Sequence, residues 1–331
     1  MTKSTTDSAH DAAEPLFERV AIIGTGLIGA SLALAMRRAN LAGCIVGCVR
    51  TEASLGKLRA LNLVDRATLS PAEAADGADL IVLGAPVGAF EAIARAIAPA
   101  LRAGAIVTDA GSVKQAAIRD VSPFIPDGVH FVPGHPIAGT EHSGPEAGFA
   151  ELFDGRWCVL TPPPGTDEAA VAKVSELWRR CGAMIVTMTA RHHDHVLAIT
   201  SHLPHLIAYT IVATAIEVEQ SLDGEVAKFS AGGFRDFTRI AASDPIMWRD
   251  IFLNNREAVL EMLQRFTEDL TALQRAIRWG EGDTLEALFR RTREARREVL
   301  AEHQAGTFDP REPERSPSPP LEPGDTDPTE S

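Results

Sequence analysis

The chain has 331 residues, which is long for a single hydrophobic core and suits two domains. Hydrophobic residues make up 45% and charged residues 23%, an ordinary soluble composition, and the net charge of −13 argues against a nucleic-acid-binding surface. No apolar run approaches the ~20 residues that cross a bilayer, and the polar N-terminus lacks the features of a secretory signal. We therefore expect a cytoplasmic protein without membrane or nucleic-acid partners, in which the four cysteines stay reduced.

Strand-like and helical patterns alternate through the first half of the chain. Strands are predicted at 19–23, 44–49, 79–83, 105–109, 130–132, 157–160 and 184–188. Helices are predicted at 27–39, 71–76, 89–101, 113–121 and 171–181. Alternation at this spacing predicts βαβ units and a mainly parallel sheet, which is the α/β fold class.

The pattern changes after about residue 189, where the strand signals end. Helices are predicted at 191–220, with a kink at Pro204, and at 225–229, 245–275 and 283–303. Their broad apolar stripes predict an all-α domain that forms a homodimer, and packing within one chain is the alternative. The predicted domains are a disordered N-terminus at 1–16, a sheet domain at 17–190, a helical domain at 191–305 and a disordered Pro-rich, acidic tail at 306–331.

A glycine-rich turn follows the first predicted strand and opens the first helix. Its sequence, GTGLIG, matches G-x-G-x-x-G, a pattern that gains meaning from this strand-to-helix context. Gly24 permits the turn, Gly26 lets a pyrophosphate approach the backbone, and Gly29 allows close packing of helix on strand. Free N–H groups at the helix start attract phosphate, so a Rossmann-type dinucleotide-binding domain is predicted. The predicted cofactor contacts in this turn are Gly24, Gly26, Leu27, Ile28 and Gly29.

The end of the second predicted strand bears on the choice between NAD and NADP. NAD sites usually place an acid about 20 residues beyond the glycines, where it bonds the ribose hydroxyls. Here Val49 occupies that position and is followed by Arg50 and Thr51. Arg50 can pair with a 2′-phosphate, and Thr51 or Ser54 can hydrogen-bond it, which slightly favours NADP. Stacking of Arg50 on the adenine of NAD is the alternative.

Two later turns are expected to line the same crevice. Ala85 and Pro86 follow the strand predicted at 79–83, and small residues there leave room for a cofactor. Gly111 and Ser112 belong to the run DAGSVK, which follows the strand predicted at 105–109. Ligands of open parallel sheets bind at the carboxyl ends of the strands, where both turns lie.

The run GHPIAGTE at 134–141 is the sharpest candidate for chemistry. His135 follows a predicted strand and lies in a turn that Pro136 stiffens. Imidazole is well suited to accept a proton near neutral pH, and an alcohol that loses a hydride must also lose its hydroxyl proton. For His135 taken alone, a turn histidine bonded to the backbone is the alternative.

Five short runs together resemble a known family. GTGLIG, DAGSVK, GHPIAGTE, SHLPH at 201–205 and FRDFTRIA at 234–241 occur in the order typical of prephenate and arogenate dehydrogenases. The resemblance covers about residues 18–305. It implies oxidative decarboxylation of prephenate or arogenate, with hydride transfer to NAD or NADP, in tyrosine biosynthesis.

The resemblance also implies roles for individual residues. His135 is the implied catalytic base, and Ser112 is the implied serine that hydrogen-bonds both that histidine and the substrate hydroxyl. Arg239 is the implied anchor for a substrate carboxylate. Trp248 is implied to approach the pocket across the dimer interface. The other implied pocket residues are Ser201, His202, His205, Thr140 and Arg235.

Metal binding is not expected, although histidines are dense between residues 192 and 205. His202 and His205 can share a helix face, but a zinc site needs a third or fourth ligand in place. His192, His193 and His195 are expected at a solvated helix N-terminus.

Two further classes of protein are also consistent with the sequence. Other two-domain reductases, of the 3-hydroxyacid dehydrogenase or pyrroline-carboxylate reductase kind, share the glycine turn and a helical second domain. A dinucleotide-sensing protein without catalysis is the other alternative. Prephenate and arogenate differ only by a keto or an ammonium group in the side chain, and no residue can be placed beside that group.

Overall fold

A six-stranded parallel sheet forms the centre of the protein. The structure is a computed structural model that describes residues 14–219 and 231–301. The strands are β1 (Phe17–Ile23), β2 (Ala42–Cys48), β3 (Arg66–Thr68), β4 (Leu80–Leu83), β5 (Ile106–Asp109) and β6 (His130–Val132). Their order is β3-β2-β1-β4-β5-β6, the doubly wound order of dinucleotide-binding domains. The predicted parallel sheet is therefore confirmed, and a crevice is expected where the order reverses, between β1 and β4.

Helices cover both faces of this sheet. They are α1 (Leu27–Arg38), α2 (Glu52–Ala60), α3 (Pro71–Ala75), α4 (Phe90–Ile97) and α5 (Lys114–Val121). Side chains that alternate along β1 belong to two separate apolar clusters: Val20 and Ile22 pack in one, Ala21 and Ile23 in the other. Because successive strand residues point to opposite faces, each face has its own core.

A second, three-stranded sheet continues from the carboxyl end of β6. It contains β7 (Gly134–Pro136), β8 (Trp157–Leu160) and β9 (Met184–Thr187), with α6 (Glu168–Arg180) between the last two. β7 pairs with β8 in antiparallel fashion, and His135 lies opposite Val159. The expectation that His135 lies in a turn was therefore wrong. Pairing of β7 with β8, in addition to Pro136, fixes the backbone of His135.

Helices make up the described chain beyond residue 189, as predicted. They are α7 (Ala190–Leu197), α8 (Leu203–Glu219), α9 (Gly232–Thr238), α10 (Pro245–Asn254), α11 (Arg256–Trp279) and α12 (Gly282–Ala301). A π-helical segment, Ala198–His202, separates α7 from α8 just before Pro204. Asn255 ends α10 and divides the helix that was predicted as continuous. The helix predicted at 225–229 lies outside the described residues, as do nearly all of the two predicted disordered segments.

The protein divides into two compact units, with the boundary between Glu268 and Asp269, inside α11. The first unit contains both sheets and the helices through α10. The second contains α12. The domain boundary predicted near residue 190 falls within the first unit and stays a prediction.

One helical stretch, Ala190–Val218, is long and apolar enough to cross a membrane by length and composition. The expectation that no apolar run approaches this length is thereby corrected. Core helices of soluble proteins meet the same criterion. This stretch carries His193, Asp194 and His202, which are buried in polar contacts within the protein, so we interpret it as part of the helical region.

The four cysteines are unpaired, and Cys48, Cys158 and Cys181 are buried. Burial raises the pKa of the Cys48 thiol to about 11 and that of Cys181 to about 12. Such thiols are protonated at neutral pH and poorly reactive, which fits packing rather than chemistry.

Candidate active site

The glycine turn after β1 is built around positions where no side chain fits. Gly24 has φ +95°, and a Cβ there would lie 2.4 Å from the backbone nitrogen of Ala85. A Cβ on Gly29 would lie 2.7 Å from the carbonyl oxygen of Gly24. By contrast, a Cβ on Gly26 would meet no protein atom within 4 Å. The turn is therefore packed on the protein side and open at Gly26.

This open face fits a dinucleotide pyrophosphate. Gly26 is the N-cap of α1, where no side chain caps the helix and no acidic residue occupies the first turn. Leu27 and Ile28 begin the helix and are half-buried. Uncapped N–H groups and the helix dipole attract an anion at this point. Ala85 and Pro86 border the turn from the end of β4, so the predicted cofactor residues of β1 and β4 lie together.

The two glycines should respond differently to alanine. In Gly26→Ala the new methyl group enters the space predicted for pyrophosphate. We expect the free energy of unfolding to fall by less than about 1 kcal/mol and the Kd for NADH to rise at least about tenfold. In Gly24→Ala the methyl group collides with backbone, so stability should fall by about 1–3 kcal/mol. Urea unfolding and NADH fluorescence titration measure both. Unchanged NADH affinity in Gly26→Ala would contradict this assignment.

The end of β2 presents the residues predicted to meet the adenosine ribose. Val49 is nearly buried, whereas Arg50 and Thr51 are exposed. Thr51 is the N-cap of α2: its Oγ1 accepts a hydrogen bond from the backbone N–H of Ser54 at 3.1 Å and lies 2.9 Å from the Ser54 hydroxyl. A helix N-terminus with two hydroxyl groups and a neighbouring arginine is suited to an anion.

A buried ion pair joins the turn after β5 to the strand that carries His135. Asp109 and Lys114 are fully buried and paired with each other. The Asp109 carboxylate also accepts hydrogen bonds from the backbone N–H groups of Gly111 at 2.9 Å and Gly134 at 3.1 Å. Lys114 Nζ donates to the carbonyl oxygen of Gly134 at 2.7 Å. The pair therefore sets the position of His135 relative to the turn that contains Ser112.

His135 is buried on β7 and has a direct histidine neighbour. Its Nδ1 is 2.8 Å from Nε2 of His193, and Nδ1 of His193 is 2.8 Å from Oδ1 of Asp194. Burial lowers the pKa of His135 well below its usual value, and its neighbours His193, Lys114 and His202 lower it further. His135 is therefore neutral at pH 7, the form that a proton acceptor requires.

His193 was expected at a solvated helix start, and this expectation was wrong. Thr189 is the N-cap of α7, with Oγ1 accepting from the backbone N–H of His192. His193 consequently lies inside the first turn, on the inward face with Leu197, and is fully buried. His192 is exposed and His195 is partly exposed, as expected for that surface.

Ser112 is half-buried in the turn between β5 and α5. Within the described residues, no hydrogen bond joins Ser112 to His135, whose Nδ1 is bonded to His193 instead. The implied Ser112–His135 bond is thus not part of this geometry. Contact between Ser112 and a substrate hydroxyl stays a prediction.

Asn255 links the histidine pair to the predicted substrate pocket. Its Nδ2 donates to the carbonyl oxygen of Asp194 at 2.8 Å and lies 3.1 Å from Nδ1 of His202. Burial lowers the pKa of His202 to about 4. The His202 ring packs edge-on against Trp248, with ring centroids 6.1 Å apart. Residues from α7, the π-helical segment and α10 therefore meet around this asparagine.

Trp248 and His205 form the opposite side of this cluster. Their rings are stacked, with centroids 3.7 Å apart, and His205 Nδ1 is 2.8 Å from the carbonyl oxygen of Ser201. Asp244 caps α10 through the backbone N–H groups at the start of the helix, which orients Trp248 one turn later. Trp248 was expected to approach the pocket across a dimer interface; here it stacks on a histidine of its own chain.

Arg239 forms an ion pair with Glu141. Nη1 of Arg239 lies 2.9 Å from Oε2 of Glu141, which belongs with Thr140 to the loop that follows β7. The pKa of Glu141 is lowered by a hydrogen bond from its own backbone N–H and by the charge of Arg239. Burial lowers the pKa of His205, and the charge of Arg239 lowers it further. Arg239 therefore lies close to the loop and to the stacked histidine, whereas Arg235 is exposed on α9.

Sequence reasoning assigned no site role to several residues that organise this region: His193, Asp194, Asn255, Glu141, Asp109 and Lys114. One signal was available for the first two. Leu197 and Ala198 are apolar, so residues 193 and 194, one turn earlier, share their inward helix face. Asn255 carried no such signal, because its partners are more than 50 residues away in sequence.

The fold and this site define a dinucleotide-dependent dehydrogenase: a doubly wound sheet with an open glycine turn, and a neutral buried histidine at the carboxyl edge. Residues 32–187 match the sequence model for the nucleotide-binding domain of prephenate dehydrogenase, and residues 189–291 match that for its dimerization domain. The chain belongs to the prephenate dehydrogenase family. This excludes the other two-domain reductases that the sequence left open.

Individual relatives agree with this placement. A cyclohexadienyl dehydrogenase of Zymomonas mobilis is 42% identical over 87% of this chain and 98% of its own length. The Aquifex aeolicus prephenate dehydrogenase, solved in complex with hydroxyphenyl propionate and NAD+, is 37% identical with a TM-score of 0.80, covering 85% and 98% of the two chains. A Synechocystis arogenate dehydrogenase is 28% identical with a TM-score of 0.70, covering 85% and 99%.

Proposed function

We propose that this protein oxidatively decarboxylates prephenate, arogenate or both, with NAD or NADP as hydride acceptor, in the synthesis of tyrosine. The observation that carries the proposal is the neutral, buried His135 at the carboxyl edge of a dinucleotide-binding sheet. Arg239 supports it, because the guanidinium group binds carboxylates in a bidentate manner and prephenate carries two.

The residues of this chain then have the following parts in the reaction. When bound, the nicotinamide cofactor would accept the hydride that leaves the ring carbon bearing the hydroxyl group. His135 accepts the hydroxyl proton as the C–O bond gains double-bond character. Loss of the ring carboxylate as CO2 leaves its bonding electrons in the ring, which becomes aromatic. The product is a phenol, which keeps its proton at neutral pH, so His135 returns the proton it took.

A spectrophotometric assay at 340 nm tests the proposed function. Purified protein is given prephenate or arogenate with NAD or NADP. We expect reduction of the cofactor with at least one of the four pairs, and the four rates define substrate and cofactor preference. A folded protein that reduces neither cofactor with either substrate would overturn the proposal.

For the cofactor, we propose a preference for NADP over NAD. Arg50 is exposed beside the Thr51 and Ser54 hydroxyl groups, and the acidic position of NAD sites is Val49. We expect Arg50→Ala to lower kcat/KM for NADP by about 10–100-fold, the loss expected for charge-assisted hydrogen bonds, and to change that for NAD by less than about threefold. Arg59→Ala, which replaces an exposed arginine within α2, is the matched control. Equal losses with both cofactors would argue for stacking of Arg50 on adenine instead.

We also propose that residues 17–190 and 191–305 are the two domains and that the second forms a homodimer. Large apolar side chains are exposed in the single chain along its helices: Ile211 and Ile216 on α8, Ile246 and Leu253 on α10, and Leu260 on α11. Exposed large apolar side chains of this kind are typical of a buried subunit interface.

We further propose that the protein is cytoplasmic, because the cytoplasm is the compartment in which such a biosynthetic enzyme meets its substrate.

A further inference from the structure

Asp194, His193 and His135 form a continuous buried chain of hydrogen bonds. His193 and Asp194 are fully buried, and His135 is 8% exposed. The two ring-to-partner distances in the chain are both 2.8 Å. One end of the chain is anchored, because Asp194 also accepts from the backbone N–H groups of Lys114 at 2.7 Å and Gln115 at 2.9 Å, at the start of α5.

The direction of each hydrogen bond follows from the anchored end. Burial alone would raise the pKa of Asp194, but the hydrogen bonds from His193 and the two backbone N–H groups outweigh it, and the pKa is lowered. An ionised carboxylate only accepts, so Nδ1 of His193 carries a proton. Burial keeps His193 neutral by lowering its pKa, and its Nε2 therefore accepts. His135 must donate from Nδ1, which leaves the lone pair on its Nε2.

We propose that His193, held by Asp194, is a positioning residue that fixes His135 in the Nδ1–H tautomer and so presents Nε2 as the proton acceptor for the substrate hydroxyl group. The identity of the proton donor rests on the proposed function, whereas the tautomer of His135 follows from the hydrogen bonds alone. The arrangement resembles that of catalytic triads, in which an aspartate orients a histidine base without becoming protonated.

The surroundings of the chain favour the same state. Besides His193, the titratable groups that act on His135 are Lys114 and His202, while Asp194, Lys114 and Asp109 act on His193. When His135 accepts a proton, His193 receives a stronger hydrogen bond from Nδ1, and the Asp194 carboxylate stabilises the added charge through it. The backbone N–H groups at the start of α5 hold the Asp194 carboxylate, and the side-chain amide of Asn255 holds the Asp194 backbone carbonyl, so Asp194 is fixed in place.

Two substitutions of His193 separate positioning from packing. His193→Phe keeps the ring volume but cannot accept a hydrogen bond, so we expect kcat to fall by about 10²-fold or more while the Kd for NADH stays within about threefold. His193→Gln can accept from His135 Nδ1–H through its amide oxygen, so it should recover at least about tenfold in kcat over His193→Phe. His192→Gln, at the exposed neighbouring position, is the matched control and should match the wild type.

The pH profile gives a readout that simple loss of packing would not move. The base must be neutral to act, so kcat/KM is lost as pH falls through the pKa of His135. Phenylalanine at position 193 cannot accept the hydrogen bond from Nδ1 that stabilises protonated His135, and burial, Lys114 and His202 still lower the pKa of His135. The acid limb of kcat/KM should therefore move to lower pH in His193→Phe.

The deciding experiment is 15N NMR of the full-length protein labelled at histidine, with NAD bound, at pH 7.5. His135 is assigned by its absence in His135→Asn. We expect a protonated Nδ1 and an unprotonated Nε2 for His135 in the wild type and in His193→Gln. A His135 protonated on Nε2 in the wild type would overturn the proposal, as would full activity of His193→Phe. The NMR result stands even if no substrate pair reacts, so failure of the proposed function is distinguished from failure of this inference.

Discussion

Replacing His135 with asparagine lowers kcat by about 10²–10⁴-fold, the contribution expected of a positioned general base. Asparagine is close in size and polar, so the small strand β7 should still pair with β8. The Kd for NADH should stay near that of the wild type, because the glycine turn lies at the end of β1 rather than β7. Steady-state kinetics at 340 nm and NADH fluorescence titration measure the two quantities.

His192→Asn is the matched control for this substitution, because His192 is exposed on α7 and has no part in the proposed site. It should keep wild-type kcat. The pH dependence gives a second check on His135: since its pKa lies well below the usual value, kcat/KM should be constant from pH 7.5 through 6.5 and should fall only at lower pH. Retained activity in His135→Asn would refute the assignment of this residue as the base.

Replacing Arg239 with alanine raises the KM for prephenate by about 10–100-fold. A charge-assisted hydrogen bond contributes about 1.5–3 kcal/mol, and its loss also leaves Glu141 as an unpaired negative charge beside an anionic substrate. Arg239→Lys keeps the charge but loses the planar pair of donors. Its KM for prephenate should therefore lie between that of the wild type and that of Arg239→Ala. Initial rates over a range of prephenate concentrations measure the effect.

The control for Arg239 is Arg249→Ala. Arg249 is also an exposed arginine paired with a carboxylate, that of Asp250 at 2.7 Å, but it lies outside the proposed site. We expect its KM to equal that of the wild type. If Arg239→Ala and Arg249→Ala behaved alike, Arg239 would be a surface ion pair and the carboxylate anchor would have to be sought elsewhere.

The sheet could be predicted because its signals are local. Buried parallel strands are short apolar runs, and all seven predicted strands begin or end within two residues of observed strands. The strands β3 and β7 and the helix α2 were missed. β3 has three residues at the sheet edge, and α2 buries only Leu55 and Leu58. Neither element contains enough apolar residues to produce a periodic signal.

The site was predicted only in part, because its parts depend on contacts that are distant in sequence. The glycine turn and His135 stand in recognisable runs, so their positions at the carboxyl edge follow from the order of strands. The hydrogen bond of His135 joins residues 58 apart, and the pair Arg239–Glu141 joins residues 98 apart. Such pairings arise when elements pack together, and the sequence of one element does not specify them.

The buried pair of Asp109 and Lys114 limits the evolutionary routes open to this protein. Removing one partner leaves an uncompensated charge in the buried interior, which costs about 3–5 kcal/mol and is a large fraction of the stability of an ordinary domain. Replacing both with apolar residues can be nearly neutral, but it passes through one of those unstable intermediates. The two positions are therefore expected to be inherited together, as a single unit that joins the cofactor-side turn to the catalytic strand.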